Sequence, residues 1–528
     1  MKKYIFLILT GLSINTIHSQ GISDAMRYSQ DNLNGTARFR AMGGAFGALG
    51  GDLSSLNINP AGSAVFANNQ FGVTLSNYNT KNNSNYFGAK TNESNNSFIL
   101  NQAGGVLVFN NYHSKSNWKK ISVAVNYENT NNYNNDIFSA GVNPTNSIDQ
   151  YFLSYANTGN GGAPVPQELV TRKDGEYISS LYRYLGNTLP SFQYPELSGY
   201  SAQQAMMGFY GQGNIIDVAD LNNPNSRYIS LVPTGGNYYQ ENEIHTNGYN
   251  GKLSFNAATS YKDKLYIGIN LNSHFTDYTR NTSFYEHNNN NTTANDQIDR
   301  AYFDNQLYTY GTGFSFQVGA IAKVTNQVRL GLAYESNTWY KLYDETTQKL
   351  VTVSGNNIGE LPPAIVDPQI VNIYESYKLQ TPGKWTASFA YVFGKTGLLS
   401  VDYAIKDYGN TKFKPTNDSF FRGVNNTMSD QLTNSSEVRI GAEYKIKLLS
   451  LRAGYRFEQS PYKNSSTIGD LNGYSGGLGY NFGSTKVDLA YSYAKRNSHQ
   501  AFFSQGFTDG ANINTKFNNV SLTMLFEL

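Results

Sequence analysis

The sequence predicts an all-β fold, a transmembrane antiparallel β-barrel of about 14 strands, and three observations carry that reading. Apolar and polar residues alternate with period two in segment after segment. The chain opens with an export leader yet has no later run of about 20 apolar residues, so helical spans are excluded. Short connections alternate with long Asn-rich ones, the rhythm of a barrel with tight periplasmic turns and longer outer loops.

Residues 1–20 read as a secretory signal peptide. Lys2 and Lys3 form a basic head, Tyr4–Leu12 an apolar stretch too short to span, and Ser13–Gln20 a more polar tail, with cleavage expected near Ser19 or Gln20. The 528-residue chain has no cysteine, which excludes disulfides, thiolate metal sites and a cysteine nucleophile. A net charge of +2 leaves no basic field for nucleic acid. Charged residues make up 15% and aromatics 14%, with 41 Tyr, a balance that suits a lipid-facing surface girdled by aromatics. A soluble array of β-domains would also alternate; the leader and the short–long rhythm favour the barrel.

In chain order, the alternation gives strands at Phe71–Leu75, Phe98–Val108, Ile121–Tyr127, Leu253–Tyr261, Leu265–Leu271, Tyr308–Ala322, Val328–Tyr334, Trp385–Phe393 and Leu399–Ile405. The clearest pattern follows: Val438–Ile446, Leu449–Tyr455, Tyr474–Phe482, Val487–Tyr493 and Val520–Leu528. An even number suits a bacterial single-chain barrel. Tight turns are expected at 262–264, 324–326, 394–396, 446–447 and 483–485, and long outer loops at 281–302, 341–376, 409–435, 458–472 and 495–515. The stretch 129–246 is too long for a plain loop. It is expected to be a large extracellular insertion with short helices at Ser147–Ala156, Ile178–Leu185 and Ser201–Tyr210, either a self-packed cap or a capture groove for a lipophile. Residues 68–528 form the barrel.

Residues 21–67 do not read as barrel strands. Ser23 is expected to N-cap a short helix running to Asp31. Next comes a Gly/Ala-rich run, Ala41 to Gly51, then Asp52 and Asn59-Pro60-Ala61-Gly62. No Gly-Lys-Ser/Thr or Rossmann spacing accompanies the glycines, so a phosphate loop is not indicated. The segment reads as a compact element in which backbone approaches backbone closely, with Pro60 fixing a turn.

This Gly/Ala-rich segment with its Asp and its Asn-Pro-Ala-Gly, placed just before the first strand, resembles the long-chain fatty-acid transporter family of outer-membrane barrels (FadL/TodX type). Thr381–Lys384, Tyr391–Lys395 and Asp402–Tyr403 resemble a subgroup often labelled haemin receptors. The resemblance implies a 14-strand barrel plugged by residues 21–67 as an N-terminal hatch inside the lumen, with Asp52, Asn59, Pro60, Ala61 and Gly62 as the hatch motif. It also implies passive uptake of hydrophobic small molecules such as long-chain fatty acids, with sideways release through a gap in the wall near the hatch. Lipid suits such cargo, since each buried CH₂ gains about 0.8 kcal/mol. Haemin uptake, or a docking role for exported proteins with an outer-membrane protein partner, stand as alternatives.

By strand parity the lumen holds Arg329, Glu335, Asp402, Lys406, Arg439, Glu443, Arg452, Arg456 and Asp488. A paired network bracing strands and hatch is the plain reading; an arginine such as Arg452 or Arg456 meeting a ligand carboxylate is the functional one. His274 also points inward, as a hydrogen-bonding residue or a haem ligand. Phe152, Met206 and Phe209 of the insertion are candidate ligand contacts. No catalytic residue, cofactor or metal ligand is expected: a hydrolase would need an activated serine beside His274, and no partner is evident.

Overall fold

A computed structural model of the chain describes residues 21–528, apart from 114–115, 188, 190–192, 212, 291–296 and 357–358. The expected signal peptide, 1–20, lies outside the described residues. The strands are β1 (Gln70–Tyr86), β2 (Ala89–Asn110), β3 (Trp118–Asn132, continuing as Asn135–Asn143), β4 (Tyr238–Tyr261), β5 (Leu265–Asn288), β6 (Gln297–Lys323) and β7 (Val328–Glu335, continuing as Trp339–Asn356). They continue as β8 (Lys384–Phe393, preceded by Tyr377–Gln380), β9 (Gly397–Asp407), β10 (Asn434–Ile446), β11 (Leu449–Glu458), β12 (Ile468–Asn481), β13 (Thr485–Ala501) and β14 (Gly510–Glu527). Neighbours pair antiparallel, and β14 pairs with β1 from Glu527↔Gln70 to Asn512↔Asn85, which closes a 14-stranded barrel. Except where β2 and β3 part toward their outer ends, closure removes the sheet edges and satisfies the backbone in lipid.

The alternation places its apolar set on the outside. Leu332, Trp385, Phe389, Leu478, Leu489 and Met524 are all exposed, although each is large and apolar. A contiguous belt of this kind would aggregate in water; in lipid it is the solvent-facing surface. The inward set is polar or small, as with Ser388, Asp402, Arg439 and Glu443 along neighbouring strands.

The strands are longer than the apolar pattern indicates, because their outer halves are Asn-, Ser- and Thr-rich. β1 and β2 meet at Phe87-Gly88, both with positive φ (45° and 88°), a two-residue hairpin turn of the primed type. This outer connection is therefore tight where a long loop is expected: the paired legs take the loop's place. The same holds for 281–288, 297–302, 341–356, 495–501 and 510–515, which are strand rather than loop. The expected insertion 129–246 also loses its flanks to β3 and β4, leaving 144–237. There the helices are α3 (Asp149–Thr158), α4 (Gln167–Val170), α5 (Ile178–Asn187) and α6 (Gly199–Phe209).

The segment before β1 is a plug. It contains α1 (Ile22–Ser29), α2 (Ala37–Ala41) and 3₁₀ turns at Leu53–Asn57 and Pro60–Val65. Gly21, not Ser23, caps α1, and its N–H donates to the Asp24 carboxylate (2.8 Å); the helix stops before Gln30. Nearly all residues from Asn34 to Ala64 are buried against the inward faces of the barrel. A last helix, α7 (Ser419–Gln431), lies at the outer end, where Phe421 and Met428 cluster with Met26 and Tyr28 of α1.

Candidate functional site

The hatch is seated where the wall lacks side chains. A Cβ on Gly331 of β7 would lie 2.3 Å from the Gly47 carbonyl oxygen, and one on Gly454 of β11 would lie 2.2 Å from the Gly43 nitrogen. Gly268, Gly319 and Gly441 make the same allowance for Pro60, Asn59 and Met42. Polar side chains then hold the backbone that comes so close. Asp402 accepts the Phe46 N–H (3.0 Å) and the Gly47 N–H (3.0 Å). Asn256 donates to Pro60 O (2.9 Å), Asn270 to Leu56 O (2.8 Å) and Gln317 to Asn57 O (2.9 Å). Arg40, wholly buried, donates to Tyr78 (2.9 Å) and Ser492 (3.1 Å).

The hatch motif holds the local fold together. Asp52 accepts from Thr36 Oγ1 (2.7 Å) and from Ser54 N–H (2.9 Å), capping the first 3₁₀ turn. Burial pushes its carboxyl up, against the pull of Arg38 and the two hydrogen bonds. Asn59 caps the second turn by accepting from Ala61 N–H (3.1 Å), while its amide donates to Gly47 O (2.8 Å) and Ala320 O (3.0 Å). Pro60 opens that turn, Ala61 packs against Ala258, Tyr266 and Ile321, and Gly62 accepts from Gly51 N–H (3.1 Å). None of the five lines either of the two cavities described below.

The lumen charges form the paired network. Glu443 accepts from Arg38 of the hatch (2.9 Å) and from Arg452 (2.6 Å), and Arg452 also reaches Asp488 (2.5 Å). Arg452 is thereby paired with two carboxylates. Arg456 is bound to Glu437 (3.0 Å), Glu458 and Asp31 O (2.9 Å), yet it lines a cavity beside Leu33. Glu437, which the alternation pattern did not single out, also pairs with Arg439 (2.5 Å). Asp31 of the hatch meets Lys384 (2.7 Å) and Lys406 (3.3 Å). Burial alone raises the Asp31 carboxyl, but the two ammonium groups hold it well below the usual carboxylate range.

Two cavities lie directly above the hatch. One, of about 80 Å³, is lined by Leu33, Tyr78, Leu471, Ala494 and Phe517, among others. The other, of about 90 Å³, is more polar and holds Glu128, Lys252, His274 and Tyr340. His274 is 5% exposed; its Nε2 meets Ser315 Oγ (2.9 Å) and its Nδ1 meets Tyr340 Oη (3.4 Å), so both ring nitrogens are engaged. Lys252 is 6% exposed and makes no ion pair among the described residues. It precedes the expected strand Leu253–Tyr261 by one residue, so parity extended one step would have placed it in the lumen.

Phe152 and Met206 are wholly buried in the apolar core of the insertion, together with Phe303 and Phe503 of the barrel region, and Phe209 packs against that core half-buried. The insertion is thus a self-packed cap seated in the outer mouth. Its Phe152 and Met206 are not an open groove.

Beside the chamber the wall parts. β2 and β3 pair from Asn110↔Lys120 only as far as Gln102↔Glu128. There β2 carries a bulge, since Thr74↔Gln102 is followed by Leu75↔Leu100. The extra residue, Asn101, points inward with Gln102, takes the Gly35 N–H of the hatch (2.9 Å), and donates to Ser76 and Tyr78 (both 2.8 Å). Beyond it β2 still pairs with β1, and β3 with β4, but not with each other. Side chains close the seam: Asn132 to Ser97 (2.6 Å), Asn95 to Asp136 (2.8 Å) and Thr91 to Phe138 O (2.5 Å). Phe98 stands at its edge, 71% exposed.

A closed lipid-belted barrel, plugged by its own N-terminal segment and capped outside, defines the class of outer-membrane transport barrels. Residues 234–521 match the family model described as outer membrane protein transport protein (OMPP1/FadL/TodX), and the chain belongs to that family. The fold is that of a FadL homologue from Pseudomonas aeruginosa, at 12% identity over 94% of this chain and 99% of that one, with a TM-score of 0.51. Also similar are the toluene transporter TodX of Pseudomonas putida (14% identity, 95% and 100% covered, TM-score 0.49) and the toluene transporter TbuX of Ralstonia pickettii (13%, 94% and 99%, 0.46). No curated protein sequence matches the chain.

Proposed function

We propose that the chain conducts small hydrophobic molecules across the outer membrane, holding them above the hatch and releasing them sideways between β2 and β3. The observation that carries this is the seam. Below the chamber the hatch is docked against the wall, while beside it the β2–β3 ladder stops at Gln102↔Glu128 and only side-chain contacts close the wall. Breaking a few side-chain hydrogen bonds, each worth about 0.5–1.5 kcal/mol net, is far easier than withdrawing the hatch. The lower end of that seam, beside the exposed Phe98 and Leu100, meets the lipid belt, which suits an apolar cargo.

Within that class the preferred cargo is an elongated apolar molecule with a carboxylate head, such as a long-chain fatty acid. Lys252 supplies a buried ammonium that makes no salt bridge among the described residues, though the Glu128 carboxyl stands opposite it in register, and Leu33, Ala494 and Phe517 line an apolar cavity next to it. The toluene transporters of the family point to uncharged aromatics as the competing cargo. Haemin is disfavoured because both nitrogens of His274 are hydrogen-bonded. The test is to titrate the purified barrel with a fluorescent fatty acid, toluene and haemin. The proposal expects saturable fatty-acid binding. Haemin binding that His274→Ala abolishes, without fatty-acid binding, would overturn it, as would toluene binding alone for the carboxylate preference.

A further inference from the structure

Lysines 81, 495 and 516 lie side by side. Lys81 of β1 is directly opposite Lys516 of β14, which is directly opposite Lys495 of β13. All three share the outward parity of the lipid belt: Leu75 on β1, Val520 on β14 and Leu489 on β13 are exposed on the same face. Residues opposed in this way have Cβ atoms about 4.5–5.5 Å apart, and like charges there repel.

Among the described residues none of the three lysines forms an ion pair. The row is flanked in register by Asn472 of β12 and Ser94 of β2. One step inward along the strands on the same face stand Tyr493, Asn518 and Asn79, and one step outward only asparagines. Three cations in one register row, none of them ion-paired among the described residues although Glu93 adjoins Ser94 on β2, leave an anion to come from outside.

Position says which anion. The register row below runs Tyr455–Tyr474–Tyr493 across β11, β12 and β13, outward-facing tyrosines that mark the membrane–water boundary. The lysines lie two residues farther along their strands, about 7 Å, toward the capped end. For Lys495, two residues beyond Tyr493 on its own strand, that is about the depth of headgroup phosphates, and Lys516 and Lys81 adjoin it in register. The row also spans two interstrand steps, about 10 Å, which fits two phosphates carried on a sugar backbone better than one phosphodiester, and the asparagine amides above and below suit sugar hydroxyls. We propose that this face binds the phosphates of a phosphorylated glycolipid of the outer leaflet, fixing the barrel in that leaflet at the side where β14 meets β1. The inference rests on the capped end facing outward and is independent of the cargo.

The test uses the full mature barrel in zwitterionic detergent, titrated with bis-phosphorylated lipid A, with its dephosphorylated form and with phosphatidylglycerol, bound lipid being counted by native mass spectrometry. The wild type should hold bis-phosphorylated lipid A about tenfold more tightly than the K81Q/K495Q/K516Q variant, with no difference for the dephosphorylated form. K516Q alone should weaken binding by a smaller factor, which keeps the test alive should the triple variant fold poorly; heat-modified gel mobility reports folding. A matched variant at the opposite end, K262Q/K395Q/K447Q, should bind as the wild type does. Equal retention by wild type and the row variants, equally tight phosphatidylglycerol, or an equal loss in the opposite-end variant would each overturn the proposal.

Discussion

Gly331 is the position at which the seating of the hatch can be probed with a single methyl group. In Gly331→Ala the new Cβ would stand 2.3 Å from the Gly47 carbonyl oxygen and 2.8 Å from its carbon. Ordinary carbon-to-oxygen contacts begin at about 3.3 Å, so the hatch loop must retreat by about 1 Å. It is held from the other side by Asp402, which accepts from Phe46 and Gly47, and by Asn59 on Gly47 O. Overpacking of this size costs about 1–3 kcal/mol, and losing both bonds to the Asp402 carboxylate would raise that to about 4–9 kcal/mol. At about 1.4 kcal/mol per factor of ten, the undocked population rises roughly 10-fold or more. Planar-bilayer conductance reads that population directly: Gly331→Ala should flicker open, and Gly331→Leu should hold open longer. Gly476→Ala, on the lipid face with its Cβ 3.7 Å from the nearest backbone oxygen, should behave as the wild type. A Gly331→Leu barrel as electrically tight as the wild type would refute the docked hatch.

Three further outcomes follow from the same contacts. Lys252→Met should weaken binding of a carboxylated lipophile by about 1.5–3 kcal/mol, the worth of a charge-assisted bond, while leaving toluene binding unchanged in the same titration. Glu443→Ala leaves Arg38 without its carboxylate and Arg452 with Asp488 alone, and should lower barrel stability by about 3–5 kcal/mol in urea unfolding, with the hatch made protease-sensitive. The depressed Asp31 carboxyl stabilises the hatch wherever it stays ionised while the released chain would protonate, so its contribution is full above the ordinary Asp value of about 3.9 and fades as the pH falls through its lower folded value. Conductance should therefore stay closed from neutral pH down to about 4 and rise only below that; opening between about pH 5 and 7 would count against the hold of Asp31 on Lys384 and Lys406.

The fourteen strands were legible because lipid imposes a strict apolar outer face, and Val438–Ile446 or Leu449–Tyr455 cannot satisfy it in any other register. Parity also put Asp402, Glu443 and Arg452 inward. What escaped was whatever lies above the lipid. There the strands face water on one side and cap or chamber on the other, so the regular alternation gives way to polar runs such as Asn77–Tyr86, with no apolar period to read. The tight outer turn at Phe87-Gly88 was hidden for that reason. The bulge at Asn101 escaped because one extra residue changes pairing, not composition, and the seam follows from that pairing. In the hatch, the Gly/Ala run announced close packing, but which wall glycines receive it depends on the barrel's closure. Phe152 and Met206 looked available for ligand only because the sequence does not show that Phe303 and Phe503 reach them.

The central claim is that cargo leaves through the β2–β3 seam, and a chain without cysteine permits a clean lock on it. Ser97 and Asn132 face each other across the seam with their side chains 2.6 Å apart. With both replaced by cysteine, oxidation should tie β2 to β3, and uptake of a fluorescent fatty acid into cells or proteoliposomes should stop, then recover on reduction, with either single variant unaffected. A fully oxidised, folded barrel that still transports at the reduced rate would contradict the account.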